Sequence, residues 1–137
     1  MAVLCNLTEA FDCAPHQILI PKLQYYKFDD KSISLITSYL SGREQIVEFN
    51  NVKSSLLPIE HGVPQGSVLG PILFLIYFND IATVLTNCCK LTLFADDTTI
   101  SVSDTDPLGV YDKSKQALNR AKFLFDLNKL ALNGNKT

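Results

Sequence analysis

The stretch LTLFADDTTI, residues 91–100, places two adjacent acids between two short runs rich in apolar and β-branched residues. Before the acids, leucines at positions 91 and 93 alternate with other residue types. After them, Thr98, Ile100 and Val102 alternate with polar neighbours. Alternation with a period of two is typical of strands that bury one face. The stretch therefore predicts a β-hairpin with Asp96 and Asp97 at its tip.

Two interpretations of Asp96 and Asp97 follow from this position. Aspartate is common in solvated turns, because its side chain bonds the nearby backbone. Adjacent carboxylates also concentrate negative charge, and a divalent cation would relieve their repulsion. The hairpin by itself is compatible with an ordinary turn and with a metal site.

The composition predicts one compact domain. The chain has 137 residues, of which 47% are hydrophobic, enough for a core and too many for a disordered protein. Twelve basic and 14 acidic residues give a net charge of −2. Lysine and arginine are scattered, which counts against strong independent binding of nucleic acid.

The cysteine pattern and the N-terminal sequence predict an intracellular protein. The cysteines, at positions 5, 13, 88 and 89, lack the CxxC spacing of zinc sites, and no secretory signal pattern is present. We therefore expect reduced thiols. The most apolar stretch, residues 68–78, has 11 residues. A membrane span needs about 20, so this stretch predicts a buried helix and no membrane partner.

Periodicity along the rest of the chain predicts a mixed α+β fold with helices packed on one face of a sheet. Strands are expected at 2–7 and on both sides of Asn50 and Asn51, which suit a hairpin turn. Four helices are predicted: at 16–27, within 29–42, from 68 to about 86 and, as an amphipathic helix, within 107–131. A short strand with a turn is expected in 130–137.

A glycine-rich loop, GVPQGSVLGP at residues 62–71, precedes the apolar helix. Its glycines permit unusual dihedral angles and close backbone approach. Ser67 is a good N-cap for the helix that follows. Such a loop can contact phosphates or sugars, although glycines before helices are also common in ordinary turns.

Four motifs in a fixed order carry a family resemblance. They are NLTEAFD (6–12), GVPQGSVLGPILFLIYFND (62–80), FADD (94–97) and LALNGNKT (130–137). Together they resemble the reverse transcriptases of non-LTR retrotransposons of the LINE-like, jockey type, over essentially all 137 residues. The resemblance implies a partial reverse transcriptase domain at 1–137. Its fold would be a polymerase palm-like antiparallel sheet with helices on one face, without the fingers and thumb.

The resemblance assigns metal chemistry to the hairpin. Asp96 would bind the catalytic metals, and Asp97 would support it. Two Mg²⁺ or Mn²⁺ ions would activate the primer 3′-hydroxyl and stabilise the leaving pyrophosphate. Lys136 would lie near that pyrophosphate and act as a general acid, unless it is only a terminal charge.

The resemblance also assigns a nucleotide-binding role to three residues. Phe11 would stack under the incoming sugar, and Gln65 and Gly66 would contact the template and the incoming nucleotide. A template of RNA or DNA, a primer and deoxynucleoside triphosphates are the implied partners. The alternatives are that Phe11 belongs to the core and that Gln65 is a turn residue.

The chain departs from the family pattern at one metal-binding position. The family has Asp-x-x-x-Ala-Phe-Asp, whereas this chain has Asn6 at the first position, with Glu9 nearby. An amide contributes a dipole where the family has a charge, so we expect weakened metal binding. Two hypotheses follow: an RNA-directed DNA polymerase impaired by Asn6 and by the missing fingers and thumb, or an inactive palm remnant that serves as a binding module.

Overall fold

The computed structural model describes residues 1–87 and 89–134. A three-stranded antiparallel sheet has the order β1-β8-β7, formed by β1 (Ala2–Cys5), β7 (Lys90–Phe94) and β8 (Asp97–Ser101). β1 pairs with β8 from Ala2↔Ser101 to Cys5↔Thr98. Thr98 and Ile100 are buried while their neighbours in β8 are not, so the predicted alternation is confirmed.

The tip of the hairpin lies one residue earlier than predicted. Phe94 pairs with Asp97, which leaves Ala95 and Asp96 as the two-residue loop. Ala95 has a φ of 53°, in the left-handed region that closes such a turn. Because the ladder continues to this additional pair, Asp97 is the first residue of β8. The prediction that Asp96 and Asp97 together form the tip is wrong.

The predicted strand at 2–7 is interrupted at Asn6. Residues after it form β2 (Leu7–Thr8), which pairs with β9 (Ala131–Leu132) in a separate two-stranded sheet. The Asn133 N–H donates to the carbonyl oxygen of Asn6, at 2.8 Å. Asn6 therefore lies where the chain passes from one sheet to the other, and the short strand predicted near the C-terminus is confirmed.

Three of the predicted helices form, and a short one was not anticipated. Asp29 caps the second long helix by accepting from the N–H groups of Lys31 and Ser32. Asp106 caps the last helix, with Pro107 at its first position. The short helix precedes the helix predicted at 16–27. These helices are α1 (Ala10–Cys13), α2 (His16–Tyr25), α3 (Asp30–Leu40) and α6 (Pro107–Leu127).

The apolar helix predicted from 68 to about 86 consists of two helices, α4 (Leu69–Phe78) and α5 (Asp80–Leu85). At the break, the Asn79 side chain donates to the hydroxyl of Tyr26, the residue that directly follows α2. The Ser67 hydroxyl accepts from the Gly70 N–H at 2.9 Å, as a cap would, but the N-cap position of α4 is Val68, one residue later than predicted.

The hairpin predicted around Asn50 and Asn51 is confirmed. Both asparagines have positive φ, 50° and 62°, as a type I′ turn requires. Two strand pairs follow one another along it: β4 (Glu48–Phe49) with β5 (Val52–Lys53), and β3 (Glu44–Gln45) with β6 (Leu57–Pro58).

The core lies between the helices and one face of the three-stranded sheet, as the predicted α+β class requires. Phe78 of α4 stacks on Phe74 at 5.7 Å and on Phe125 of α6 at 5.9 Å between ring centroids. On the opposite face of the sheet Leu4 is 64% exposed and Phe94 80%. Across the described ranges, every helix is too short or too polar to traverse a lipid bilayer.

A polar network around Lys22 joins the helices beneath the core. The Lys22 ammonium pairs with Asp80 at 2.7 Å and donates to the side-chain oxygen of Asn128 at 2.9 Å. It also lies over the Tyr77 ring, 4.7 Å from the centroid. Burial raises the pKa of the Tyr77 phenol, which stays protonated and donates to the Asn128 carbonyl. The network therefore fixes α2, the α4–α5 junction and the end of α6 together.

We predict that Lys22→Met lowers the free energy of unfolding by about 2–3 kcal/mol, because it leaves a partly buried carboxylate without its cation. The matched control is Lys53→Met, which breaks an exposed pair with Glu48 and should cost about 0.5 kcal/mol or less. Urea denaturation of both variants measures the difference. Equal losses would show that the Lys22 network contributes no more than a surface ion pair.

Candidate functional site

The pairing of β1 with β8 brings Asn6 beside the hairpin acids. Cys5 is opposite Thr98, and the two strands are antiparallel. Asn6, which follows Cys5, and Asp97, which precedes Thr98, are therefore neighbours across the sheet. The Asn6 amide nitrogen donates to the Asp97 carboxylate at 2.9 Å, across 91 residues of sequence. Asp96 follows Ala95 in the loop and is half-buried. The three predicted metal-site residues, Asn6, Asp96 and Asp97, thus lie at the same end of the sheet.

These side chains do not fit a two-cation site. An ionised carboxylate only accepts hydrogen bonds, so the amide must direct its NH₂ group at Asp97. An NH₂ group offers a cation no lone pair, and it occupies one of the acceptor positions of the Asp97 carboxylate. Among the described residues, no group of three or more His, Cys, Asp or Glu side chains gathers where a metal ion could bind. Glu9 therefore supplies no third acid beside Asp96 and Asp97.

The predicted nucleotide-binding residues converge on one small pocket. Phe11, Gln65 and Gly66 line a cavity of about 220 Å³ between α1 and the glycine-rich loop. The Phe11 ring also packs against Phe74 of α4, with 4.4 Å between ring centroids. Phe11 is thus both a core contact and a wall of the pocket, so the two interpretations of its role are compatible.

The glycine-rich loop is attached to the segment around α1 by several hydrogen bonds. The Gln65 side chain donates to the Asp12 carboxylate at 2.8 Å. The Val63 N–H donates to the Phe11 carbonyl, also at 2.8 Å. A His16 ring nitrogen lies 2.8 Å from the Gly62 carbonyl oxygen. The sequence assigned no role to Asp12 or His16, because their partners lie about 50 residues away and no local pattern connects them.

Gly62 is required for this attachment. Its φ is +81°, and a Cβ atom there would come within 2.9 Å of both the Cα and the carbonyl oxygen of Asp12. Gly66 also has a positive φ, +78°, but the space around it is open. The close approach predicted for the loop glycines therefore occurs at Gly62, and also at Gly70, where a Cβ atom would clash with the Pro64 carbonyl oxygen. The predicted general acid, Lys136, lies outside the described residues.

Comparison with known proteins places the whole chain in the family that the sequence motifs resemble. The family model described as "Reverse transcriptase (RNA-dependent DNA polymerase)" matches residues 1–137. The chain is 34% identical over 113 residues to "RNA-directed DNA polymerase from mobile element jockey" of Drosophila melanogaster, which covers 82% of this chain and 12% of that protein.

Two further relatives match at a similar level. The protein of the same name from Drosophila funebris is 33% identical over 109 residues, 80% of this chain and 11% of the relative. "Probable RNA-directed DNA polymerase from transposon X-element" of Drosophila melanogaster is 34% identical over 103 residues, 73% of this chain and 11% of the relative. The matched region is therefore a small part of each relative.

We predict that Gly62→Ala lowers the free energy of unfolding by about 3 kcal/mol, through left-handed strain and a backbone clash with Asp12. Gly42→Ala is the control, because Gly42 has a φ of +66° with open space around it and should cost only about 1 kcal/mol. Chemical denaturation compares the two. A Gly62 variant no less stable than the Gly42 variant would contradict the tight contact.

We also predict energetic coupling between Asn6 and Asp97. A double-mutant cycle with Asn6→Ala and Asp97→Ala should give about 1 kcal/mol, the value of a partly exposed hydrogen bond. The same cycle with Asp96→Ala should give a value near zero, because no hydrogen bond within the described residues joins Asp96 to Asn6. Coupling of equal size in both cycles would indicate general electrostatics.

Proposed function

The chain belongs to the reverse transcriptase family of non-LTR retrotransposons, and on this premise we propose that it forms the palm-like part of a reverse transcriptase domain whose nucleotidyl-transfer centre is impaired at Asn6. The observation that carries the proposal is the hydrogen bond from the Asn6 amide to Asp97. Asn6 gives the centre one negative charge fewer than the family pattern. Its amide also supplies Asp97 with a hydrogen-bond donor, so that a cation is not needed for this contact.

The family generally uses divalent metal ions, which polymerases hold in pairs to activate the attacking hydroxyl and stabilise the leaving group. In this chain Asp96 and Asp97 keep their carboxylates. With Asn6 as the third metal-binding group, the attraction for two divalent cations falls, and the amide dipole replaces little of it. We therefore propose that the loss of transfer activity originates in weak metal binding, while the residues that would contact substrate are kept.

Substrate binding is assigned to the pocket between α1 and the glycine-rich loop. Phe11 offers an aromatic wall against which a sugar or base can pack. Gly66 leaves the loop open at its own position, since nothing lies within 4 Å of its missing Cβ. Gln65 is held in place by Asp12, which supports a preformed contact surface. The proposed partners are a primed RNA or DNA template and deoxynucleoside triphosphates.

The second candidate function is that of an inactive palm remnant serving as a binding module. The hydrogen bond from Asn6 to Asp97 favours this second function, because it gives the Asp97 carboxylate a donor that is part of the protein and not a metal ion. Under this hypothesis the sheet, the loop and the pocket would persist without chemistry. The two candidates differ in whether restoring a carboxylate at position 6 restores nucleotidyl transfer.

Primer extension on a primed RNA template, in Mg²⁺ and then in Mn²⁺, tests the proposal. We expect Asn6→Asp to extend the primer about 100-fold faster than the unaltered chain, since metal ions supply several kcal/mol of transition-state stabilisation. Asn119→Asp is the matched control, because it adds the same charge on the exposed side of α6. Asp96→Ala, combined with Asn6→Asp, should abolish the gain.

Two other outcomes would contradict the proposal. Extension by the unaltered chain at the rate of Asn6→Asp, and lost in Asp96→Ala, would show that Asn6 does not impair the centre. Absence of primer extension by every variant, in Mg²⁺ and in Mn²⁺, would favour the inactive remnant.

A further inference from the structure

We propose that a groove at the base of the β7–β8 hairpin binds the phosphate groups of a nucleic-acid strand, as a second site apart from Asp96 and Asp97. This basal groove encloses about 590 Å³ between the hairpin, the end of α5 and the exposed face of α6. Neither the motifs nor the pocket beside Phe11 involves it. The lining residues proposed to contact phosphate are Lys90, Ser101, Ser103, Lys113, Gln116 and Arg120.

Two elements bring the cations of the basal groove together. Lys90, the first residue of β7, is directly opposite Ser101, the last residue of β8. On α6, Lys113, Gln116 and Arg120 have the spacing i, i+3 and i+7, which places them along one side of a helix. The fold therefore collects basic side chains that are scattered in the sequence.

The lining of the basal groove suits an anion. Among the described residues, the lining includes three cations and no carboxylate, in a chain whose net charge is −2. Ser101, Ser103 and Gln116 add uncharged hydrogen-bond donors. Cationic side chains mixed with hydroxyl and amide donors are the groups that proteins direct at phosphate oxygens.

The length of the cationic row favours a nucleic-acid strand over a single phosphate. Lys113 and Arg120 are seven residues apart, which corresponds to about 10 Å along a helix. A row of this length is longer than one phosphate group, so it can contact successive phosphates of one strand. Free phosphate would occupy only a fraction of such a row.

The basal groove is separated from the hairpin acids by the length of the hairpin. Lys90 and Ser101 lie at its base, whereas Asp96 lies in the loop at its other end. Strands of five residues span about 17 Å. A ligand in the basal groove therefore leaves the carboxylates free, and its binding does not depend on whether they support chemistry.

One carboxylate beside the basal groove opposes binding. Asp104 pairs with Lys113 at 2.6 Å, and the hydrogen bond from Lys113 lowers the Asp104 pKa to about 2. Asp104 is therefore ionised at neutral pH and competes with a phosphate for this lysine. Removing its charge should strengthen binding, which is the reverse of what removing a ligand-binding residue does.

Fluorescence anisotropy with a fluorescein-labelled 16-base-pair DNA duplex tests the proposal, without divalent ions or nucleotides, between 50 and 200 mM KCl. Lys90→Gln combined with Arg120→Gln should weaken binding at least about tenfold at the lowest salt. The slope of log K against log salt should fall by about two. Lys115→Gln combined with Lys122→Gln removes the same charge from exposed positions of α6 and should weaken binding less than about twofold.

Asp104→Asn provides the complementary test. It should tighten binding of the same duplex by about threefold or more, because it frees Lys113 and removes a nearby negative charge. Asp112→Asn is the matched control, since it removes an exposed carboxylate on the same helix outside the groove lining. Its effect should be under about twofold.

Three results would overturn the proposal that the basal groove binds nucleic acid. They are equal losses of affinity in the two double variants, equal gains of affinity in the two aspartate variants, and no binding of the duplex by the unaltered chain at 50 mM KCl. Displacement of the duplex by inorganic phosphate, beyond that caused by KCl of equal ionic strength, would indicate a single-phosphate site. Lys90→Arg with Arg120→Lys should retain binding, which separates lost charge from lost folding. Since no primer is extended, failure here is distinguishable from failure of the proposed polymerase centre.

Discussion

The antiparallel pairing of β1 with β8 is the constraint on which the site depends. These strands are far apart in the sequence, since Ala2 pairs with Ser101, and no local propensity aligns them. Their register is specified because Thr98 and Ile100 must face the core, and a slip of one residue would turn both toward solvent. The same register places Asn6 beside Asp97. Burial of one sheet face thus determines which side chains meet at the hairpin loop.

Asn6 changes what this arrangement can do. A third carboxylate there would add a like charge beside Asp97 and Asp96, which a divalent cation would have to offset. The amide instead donates a hydrogen bond, so the strands can close with no ion bound. Meanwhile the loop beside the Phe11 pocket is kept in place by Gly62 and by Gln65 on Asp12. In the proposed function, this pocket would supply a preformed substrate surface, and the centre at Asp96 and Asp97 would have one charge fewer.

Local patterns in the sequence predicted most elements of the fold. The period-two alternation around residues 91–102 predicted the hairpin, and the paired asparagines at 50 and 51 predicted a second turn. The position of the loop at Ala95 and Asp96 was missed, because one more ladder pair forms than the polar step suggests. The break of the apolar helix at Asn79 depends on its contact with Tyr26, which no local signal reveals. Likewise, the sequence showed Asn6 as a departure from a pattern but could not show its bond to Asp97.

Calorimetric titration of Mn²⁺ into the unaltered chain and into Asn6→Asp tests most directly whether the amide at position 6 weakens the centre. We expect weak binding by the unaltered chain and at least about tenfold tighter binding by Asn6→Asp, because a carboxylate replaces a neutral group beside two others. Asp96→Ala in the Asn6→Asp background should remove that gain. Equal affinity of the two chains, lost in both when Asp96 is replaced by alanine, would contradict the central claim that Asn6 impairs metal binding.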